Sequence, residues 1–146
     1  MTRYGVSIRQ HPRPAPFDGA KLRALVRNAL ALLEPDAADL RILVVDDAEM
    51  TEWNRRFLGR PRTTNVISFP DGDAPGLAGD ILISAPTCLR QTSGWPGSSE
   101  ERVLFFIIHG ILHLSGHDHE LGATEARRMR SAEMKLYRSA LGKVRS

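Results

Sequence analysis

Short β-rich apolar runs alternate along the chain with segments whose apolar residues recur at three- and four-residue spacing. Tyr4 to Arg9 alternates weakly and predicts a first strand. Pro12, Pro14 and Pro16 enforce a loop behind it, since each lacks a backbone donor and extends the residue before it. Between Lys21 and Leu33, the residues Leu22, Leu25, Val26, Ala29, Leu30 and Leu33 share one helical face, with Lys21, Arg23, Arg27 and Asn28 outside. Asp18 is placed to cap this helix, and Glu34-Pro35 ends it. Arg41-Ile42-Leu43-Val44-Val45 reads as a strand buried on both faces. Strand, helix and strand in that order favour a right-handed parallel crossover.

Asp46 or Asp47 can cap a second helix that carries Met50, Trp53, Asn54 and Phe57 and closes at Gly59-Arg60-Pro61. Thr64 to Pro70 predicts a third strand, a polar loop covers 71–78, and Asp80 to Ser84 predicts a fourth strand. The stretch 89–97 is ambiguous, a short helix opening into the turn Gly94-Trp95-Pro96-Gly97. Ser98 with Glu101 three residues later forms a capping box at the head of a helix that is apolar all round (Val103, Leu104, Phe105, Phe106, Ile107, Ile108, Ile111, Leu112), which predicts the buried central helix. A last helix, from about Thr124 to Leu141, places Ala126, Met129, Glu133 and Leu136 on one side, with Met129 read as core. Without repeats or linkers, residues 1–146 predict a single domain of the α/β (α+β) class.

Composition narrows the function classes. Hydrophobic residues at 42% and charged residues at 25% are ordinary for a globular chain and argue against disorder. The apolar run from Val103 to Leu114 falls short of the ~20 residues a membrane span needs, and no apolar segment follows a basic start at Met1-Thr2-Arg3-Tyr4. Cys88 is alone, which excludes an internal disulfide and suits the cytoplasm. A net charge of +3 permits a polyanionic partner without requiring one. The basic residues are mostly arginine and cluster twice, as Arg55, Arg56, Arg60 and Arg62 before the third strand and as Arg127, Arg128 and Arg130 in the last helix. If the fold brings both clusters together they make a phosphate-binding rim; otherwise they are solvated faces.

The candidate chemistry lies in His109-Gly110-Ile111-Leu112-His113-Leu114-Ser115-Gly116-His117-Asp118-His119, which holds four of the five histidines. Helical positions four apart lie on one face, so His109 and His113 can point two imidazoles at one ion. Gly116 stands where a left-handed residue would end the helix and reverse the chain, which lets His119 return toward the same ion. The His-x3-His-x5-His spacing resembles the zincin zinc-binding frame at every position but Gly110, where a metalloprotease carries its general-base Glu. Glycine has neither charge nor proton acceptor, so a standard protease is excluded. Three protein ligands leave a tetrahedral ion one open position, whereas a closed four-His structural site is the rival, disfavoured because structural zinc sites usually use Cys. His117, on the turn, suits a place outside the ligand set. Asp118 can orient a ligand imidazole or simply serve the turn.

These residues resemble the YbeY-type metal-dependent endoribonucleases that act in bacterial ribosomal RNA maturation. The family's His-Gly-x-Leu-His-Leu-x-Gly-(Tyr/His)-Asp-His is matched throughout by His109 to His119, Gly110 included. Thr64-Asn65-Val66-Ile67-Ser68-Phe69-Pro70 is similar to its Pro-Thr-Asn-Val-Leu-Ser-Phe-Pro, and Gly79-Asp80-Ile81 to its Gly-Asp-Ile strand. Two departures stand out. The family pattern Asn-x-x-(Tyr/Phe)-Arg ends here in Leu58 after Phe57, so the arginine thought to contact RNA phosphate is missing, with Arg56 or Arg60 near enough to substitute; Thr63 replaces a proline.

The resemblance implies a four-stranded, mostly parallel mixed sheet packed with about five helices, one of them a zincin-like metal helix. It also implies one Zn²⁺ on His109, His113 and His119 at the mouth of a cleft, and cleavage of single-stranded segments of ribosomal RNA precursors in the cytoplasm. Arg55, Arg56, Arg60, Asn65 and Ser68 are the candidate RNA contacts, and small-subunit ribosomal proteins are candidate partners. The proton acceptor is left open among Asp118, a water activated by the metal and the RNA's own 2′-hydroxyl. A metal-bearing RNA-binding or ribosome-assembly module with little catalysis, and a different metallohydrolase, are the two rivals.

Overall fold

The structure is a computed structural model that describes residues 4–72, 76–116 and 122–145, with side chains to residue 142. Its elements in chain order are β1 (Tyr4–Gln10), α1 (Gly19–Leu33), β2 (Ala38–Val45), α2 (Asp47–Leu58), β3 (Val66–Pro70), β4 (Leu77–Ser84), α3 (Ala85–Gln91), α4 (Ser99–Leu114) and α5 (Ala123–Arg145). The sheet runs β1-β2-β4-β3. β1 with β2 and β2 with β4 are parallel, and β3 pairs antiparallel with β4 at one edge. The α+β class and the four-stranded, mostly parallel sheet expected of the sequence are therefore present.

Several boundaries differ from the sequence expectation. β4 starts at Leu77 rather than Asp80, because its pairing with β2 begins at Ala38 opposite Leu77 and is extended by a bond from Leu77 N to Ala37 O at 2.9 Å. The ambiguous stretch resolves into an earlier helix, α3, which Pro86 can open because its missing N–H is an orphan of the first turn anyway. β3 is shorter than expected, since Thr64 and Asn65 belong to a loop.

Alternation along the strands divides the sheet into two faces. Leu40, Ile42, Val44, Ile81 and Ile83 point into the larger core with α1, α4 and α5, while Val45, Ile67 and Leu82 point the other way and meet Met50 of α2. α4 is the central helix: Leu104, Ile107, Ile108 and Ile111 are fully buried, each contributing about 1.5–3 kcal/mol of burial. Its start carries the capping box, with Ser98 Oγ accepting from Glu101 N at 3.2 Å and Glu101 Oε1 accepting from Ser98 N at 2.8 Å. Glu100, also buried, accepts from Asp18 N at 2.9 Å and so ties the starts of α4 and α1 together.

Candidate active site

The C-terminal half of α4 presses directly onto the sheet, and glycines permit the approach. A Cβ on Gly110 would lie 2.9 Å from Ile81 Cγ2 and 3.0 Å from Ser68 Oγ, and one on Gly79 would lie 2.8 Å from Leu114 Cδ2. Gly110 is thus a packing residue, which explains why no side chain of any kind stands there. Ser68 Oγ donates to Gly110 O at 3.5 Å across the same contact. α4 ends at Leu114, and Gly116 takes φ +102, the left-handed region where glycine is favoured, with its N–H on His113 O at 3.1 Å.

With Gly110 against the sheet, His109 and His113 emerge on the flank of α4. Their ring centroids are 4.8 Å apart with planes inclined at 51°, a separation at which two imidazoles can share one ion. Nδ1 of His109 is hydrogen-bonded to Oε1 of Glu133, which α5 delivers from the other side. Glu133 is 4% exposed on the otherwise apolar face of α5, beside Met129 and Leu136. A carboxylate at Nδ1 holds the ring proton there and leaves the Nε2 lone pair as the donor atom.

Both histidines line one cleft of about 460 Å³ whose opposite wall is the loop 59–65 with the start of β3. That wall is tied down at several points. Gly59, at φ +68, caps α2 with its N–H on Arg55 O at 3.1 Å. Asn54 Nδ2 donates to Arg62 O at 2.8 Å, and Asn65 Nδ2 donates to Gln91 Oε1 of α3 at 2.9 Å. Asp47 accepts from Ser84 Oγ and Thr87 Oγ1 at 2.6 Å each, from Arg90 at 2.9 Å and from Thr63 Oγ1 at 3.3 Å. Burial pushes the Asp47 carboxyl up, but the bonds from Ser84, Thr87 and Arg90 outweigh it and bring its pKa down to about 2. The thiol of Cys88, 3.6 Å from Asn65 O, is raised well above its usual range by burial and stays protonated.

Of the residues singled out from the sequence, the structure brings His109, His113, Arg60, Asn65 and Ser68 to this one cleft, and Arg62 with them. Arg55 and Arg56 are not among the cleft residues. Arg55 turns back along α2 to pair with Glu52 at 2.7 Å, and Arg56 lies over the Phe57 ring at 5.9 Å. Their places on the helix aim them away, whereas the chain reversal after Gly59 turns Arg60 and Arg62 inward. Leu58 lines the cleft where the family pattern has its arginine. In the second cluster, Arg130 lines a small cavity behind His109 with Glu133, while Arg127 is exposed and Arg128 pairs with Glu125 at 2.9 Å.

His117, Asp118 and His119 lie outside the described residues. Among the described residues no group of three or more His, Cys, Asp or Glu is arranged to hold a metal ion. The two imidazoles nevertheless suit the expected ion: they are four residues apart on one rigid helix, and one has its tautomer set by a buried carboxylate. Sequence reasoning placed Glu133 on a helix face without giving it a role. The available signal was an acidic residue in an apolar stripe, which rarely stays buried unpaired.

Comparison with known proteins follows the same lines. The family model for Endoribonuclease YbeY matches residues 8–140. An Endoribonuclease YbeY of Syntrophotalea carbinolica is 44% identical over 110 residues, covering 70% of this chain and 73% of that one. An Endoribonuclease YbeY of Geobacter metallireducens is 34% identical over 139 residues, covering 90% of this chain and 93% of that one. The solution structure of TM1509 from Thermotoga maritima superposes with a TM-score of 0.67 at 25% identity, over 96% of this chain and 91% of that one.

Proposed function

The chain belongs to the endoribonuclease YbeY family, and on that footing we propose that it cleaves single-stranded segments of ribosomal RNA precursors in the cytoplasm, using one zinc ion held by His109, His113 and His119. The observation that carries this reading is the meeting of two helix-borne imidazoles and two arginines, Arg60 and Arg62, across a single cleft. Neither arginine has an ion-pair partner among the described residues, so both charges are available to a phosphate backbone. Single strands suit the cleft because their phosphates can reach a recessed centre.

Zinc bound at the histidines would polarise a phosphoryl oxygen and acidify a water there. The chain's own residues do the rest. Arg60 and Arg62 draw in and orient the backbone, and the bonds that tie loop 59–65 to α2 and α3 keep that wall in place before substrate arrives. Glu133 keeps the His109 proton on Nδ1, so that Nε2 is the ring atom with a lone pair to offer the ion. Asp118, in the segment outside the described residues, is one candidate to take a proton, beside a metal-activated water and the RNA's own 2′-hydroxyl. Small-subunit ribosomal proteins are the partners this role would bring.

Cleavage of ribosomal RNA fragments by purified protein should stop with a chelator and return with added zinc. Cleavage that survives chelation removes the metal from the proposal, and cleavage of peptide but not RNA removes the nuclease.

A further inference from the structure

Beside the cleft, α2 and β3 carry an aromatic surface in which Trp53 and Phe69 pack against the smaller core while Phe57 stands outside it. Trp53 and Phe57, one turn apart, stack with centroids 5.2 Å apart and planes inclined at 20°. Phe69 of β3 closes on them at 6.3 Å and 5.4 Å. Phe57 remains 53% exposed and its neighbour Leu58 51% exposed. A depression of about 280 Å³ opens here, lined by Leu43, Trp53, Phe57, Phe69, Asp80 and Leu82. The indole is held in place by its Nε1 donating to Glu49 Oε2 at 3.2 Å.

We propose that Trp53, Phe57 and Phe69 form a base-stacking platform for the RNA strand whose backbone occupies the neighbouring cleft, an inference that rests on the reading of that cleft as an RNA site. Continuity is the first argument. Asn54 and Leu58, which flank the platform residues along α2, line the cleft, and so do Ile67 and Ser68 immediately before Phe69. Phe69 points to the opposite face of β3 from Ser68, but β3 is an edge strand, so a strand that leaves the cleft past Leu58 and around that edge would bring its next bases to the rings. Charge is the second. The Arg56 guanidinium lies 5.9 Å from the Phe57 centroid. Of the nearby carboxylates, Asp80 shares the single Arg41 with Asp39 and Asp71, and Glu49 is hydrogen-bonded to the His11 ring at 2.8 Å. Arg56 beside the exposed Phe57 ring suits a phosphate next to a stacked base, which a purely apolar protein partner would not need. Stacking is sequence-tolerant because every base has a π-face, so the platform adds affinity for unpaired RNA without reading its sequence.

The test uses the full chain in chelator, so that binding is measured without turnover, with Trp95→Phe as background to leave Trp53 as the single indole. This background should bind a single-stranded oligoribonucleotide as tightly as wild type does, and its Trp53 fluorescence should be quenched on binding. Phe57→Ala should bind that RNA roughly 5- to 150-fold more weakly, the loss expected for one stacked base. Phe57→Tyr, which keeps the ring, should stay within about twofold. An abasic oligomer of the same length should bind wild type and Phe57→Ala alike. Undiminished RNA affinity in Phe57→Ala, or the same loss on the abasic oligomer, overturns the platform; if Phe57→Ala then abolishes self-association or binding of a ribosomal protein, the surface belongs to that partner. Failure of zinc-loaded wild type to cleave RNA overturns the catalytic reading instead, because quenching and the base-dependent loss decide the platform without any cleavage.

Discussion

Glu133, 24 residues beyond His109 in the sequence, places its carboxylate on the Nδ1 of that histidine from the neighbouring helix. The pair joins α5 to the cleft wall of α4 through a side chain that is 4% exposed. Carboxylates in this position typically strengthen a histidine ligand, and their loss costs about 10- to 100-fold in metal affinity. Glu133→Gln should therefore weaken zinc binding by that order, read by competition against a chromophoric chelator, with the helical circular dichroism retained. His11→Ala, whose ring pairs with Glu49 away from the cleft, should leave zinc affinity unchanged. Equal affinity in Glu133→Gln and wild type would detach the carboxylate from the site.

Gly110 sets two effects against each other. Helix propensity alone favours alanine over glycine by about 1 kcal/mol. The new methyl would meet Ile81 at 2.9 Å and Ser68 Oγ at 3.0 Å, and Ile81 is fully buried with nowhere to move. Overpacking of that kind costs about 1–3 kcal/mol, so Gly110→Ala should lower stability in urea denaturation. Ile81→Val, which keeps Cγ2 but removes the Cδ1 atom 3.1 Å from the added methyl, should relieve part of that loss in the double variant. A stabilised Gly110→Ala would show that α4 does not press on the sheet as described.

Asp47 makes stability depend on acid. Its folded pKa of about 2 lies below the ordinary value of 3.8, so its contribution is full above pH ~4 and lost as pH falls toward 2. Asp47→Asn should cost of the order of 1–2 kcal/mol at neutral pH, discounted because 35% of the side chain remains exposed. The gap between variant and wild type in chemical denaturation should narrow below pH ~4 and close as pH falls to about 2. A gap independent of pH would mean that shape, not charge, holds Thr63 and α3 to this carboxyl.

Salt should separate the arginines. Each phosphate contact on a single strand adds about 0.7 to the slope of log affinity against log salt. Arg60→Ala and Arg62→Ala should each reduce the slope by about that amount, because both line the cleft. Arg55→Ala should leave it nearly unchanged, since that side chain pairs with Glu52 along α2. Leu58→Arg, at a half-exposed cleft position, should steepen it. Equal slopes in all four variants would place the RNA elsewhere.

What the sequence determined by itself is what lies within a few residues along one element. Leu22 to Leu30 marked the buried face of α1, Ser98 and Glu101 the head of α4, and the four-residue step from His109 to His113 their common flank, because helix geometry converts spacing directly into direction. The histidine pattern also carried the family resemblance. Tertiary packing decided the rest. It set β3 antiparallel at the edge of the sheet, brought Glu133 onto His109, filled the space beside Gly110 with Ile81 and Ser68, and turned Arg60 and Arg62 inward while Arg55 and Arg56 faced away. Those meetings join residues far apart in the chain, and their geometry follows from how whole helices seat against the sheet, which no local spacing encodes.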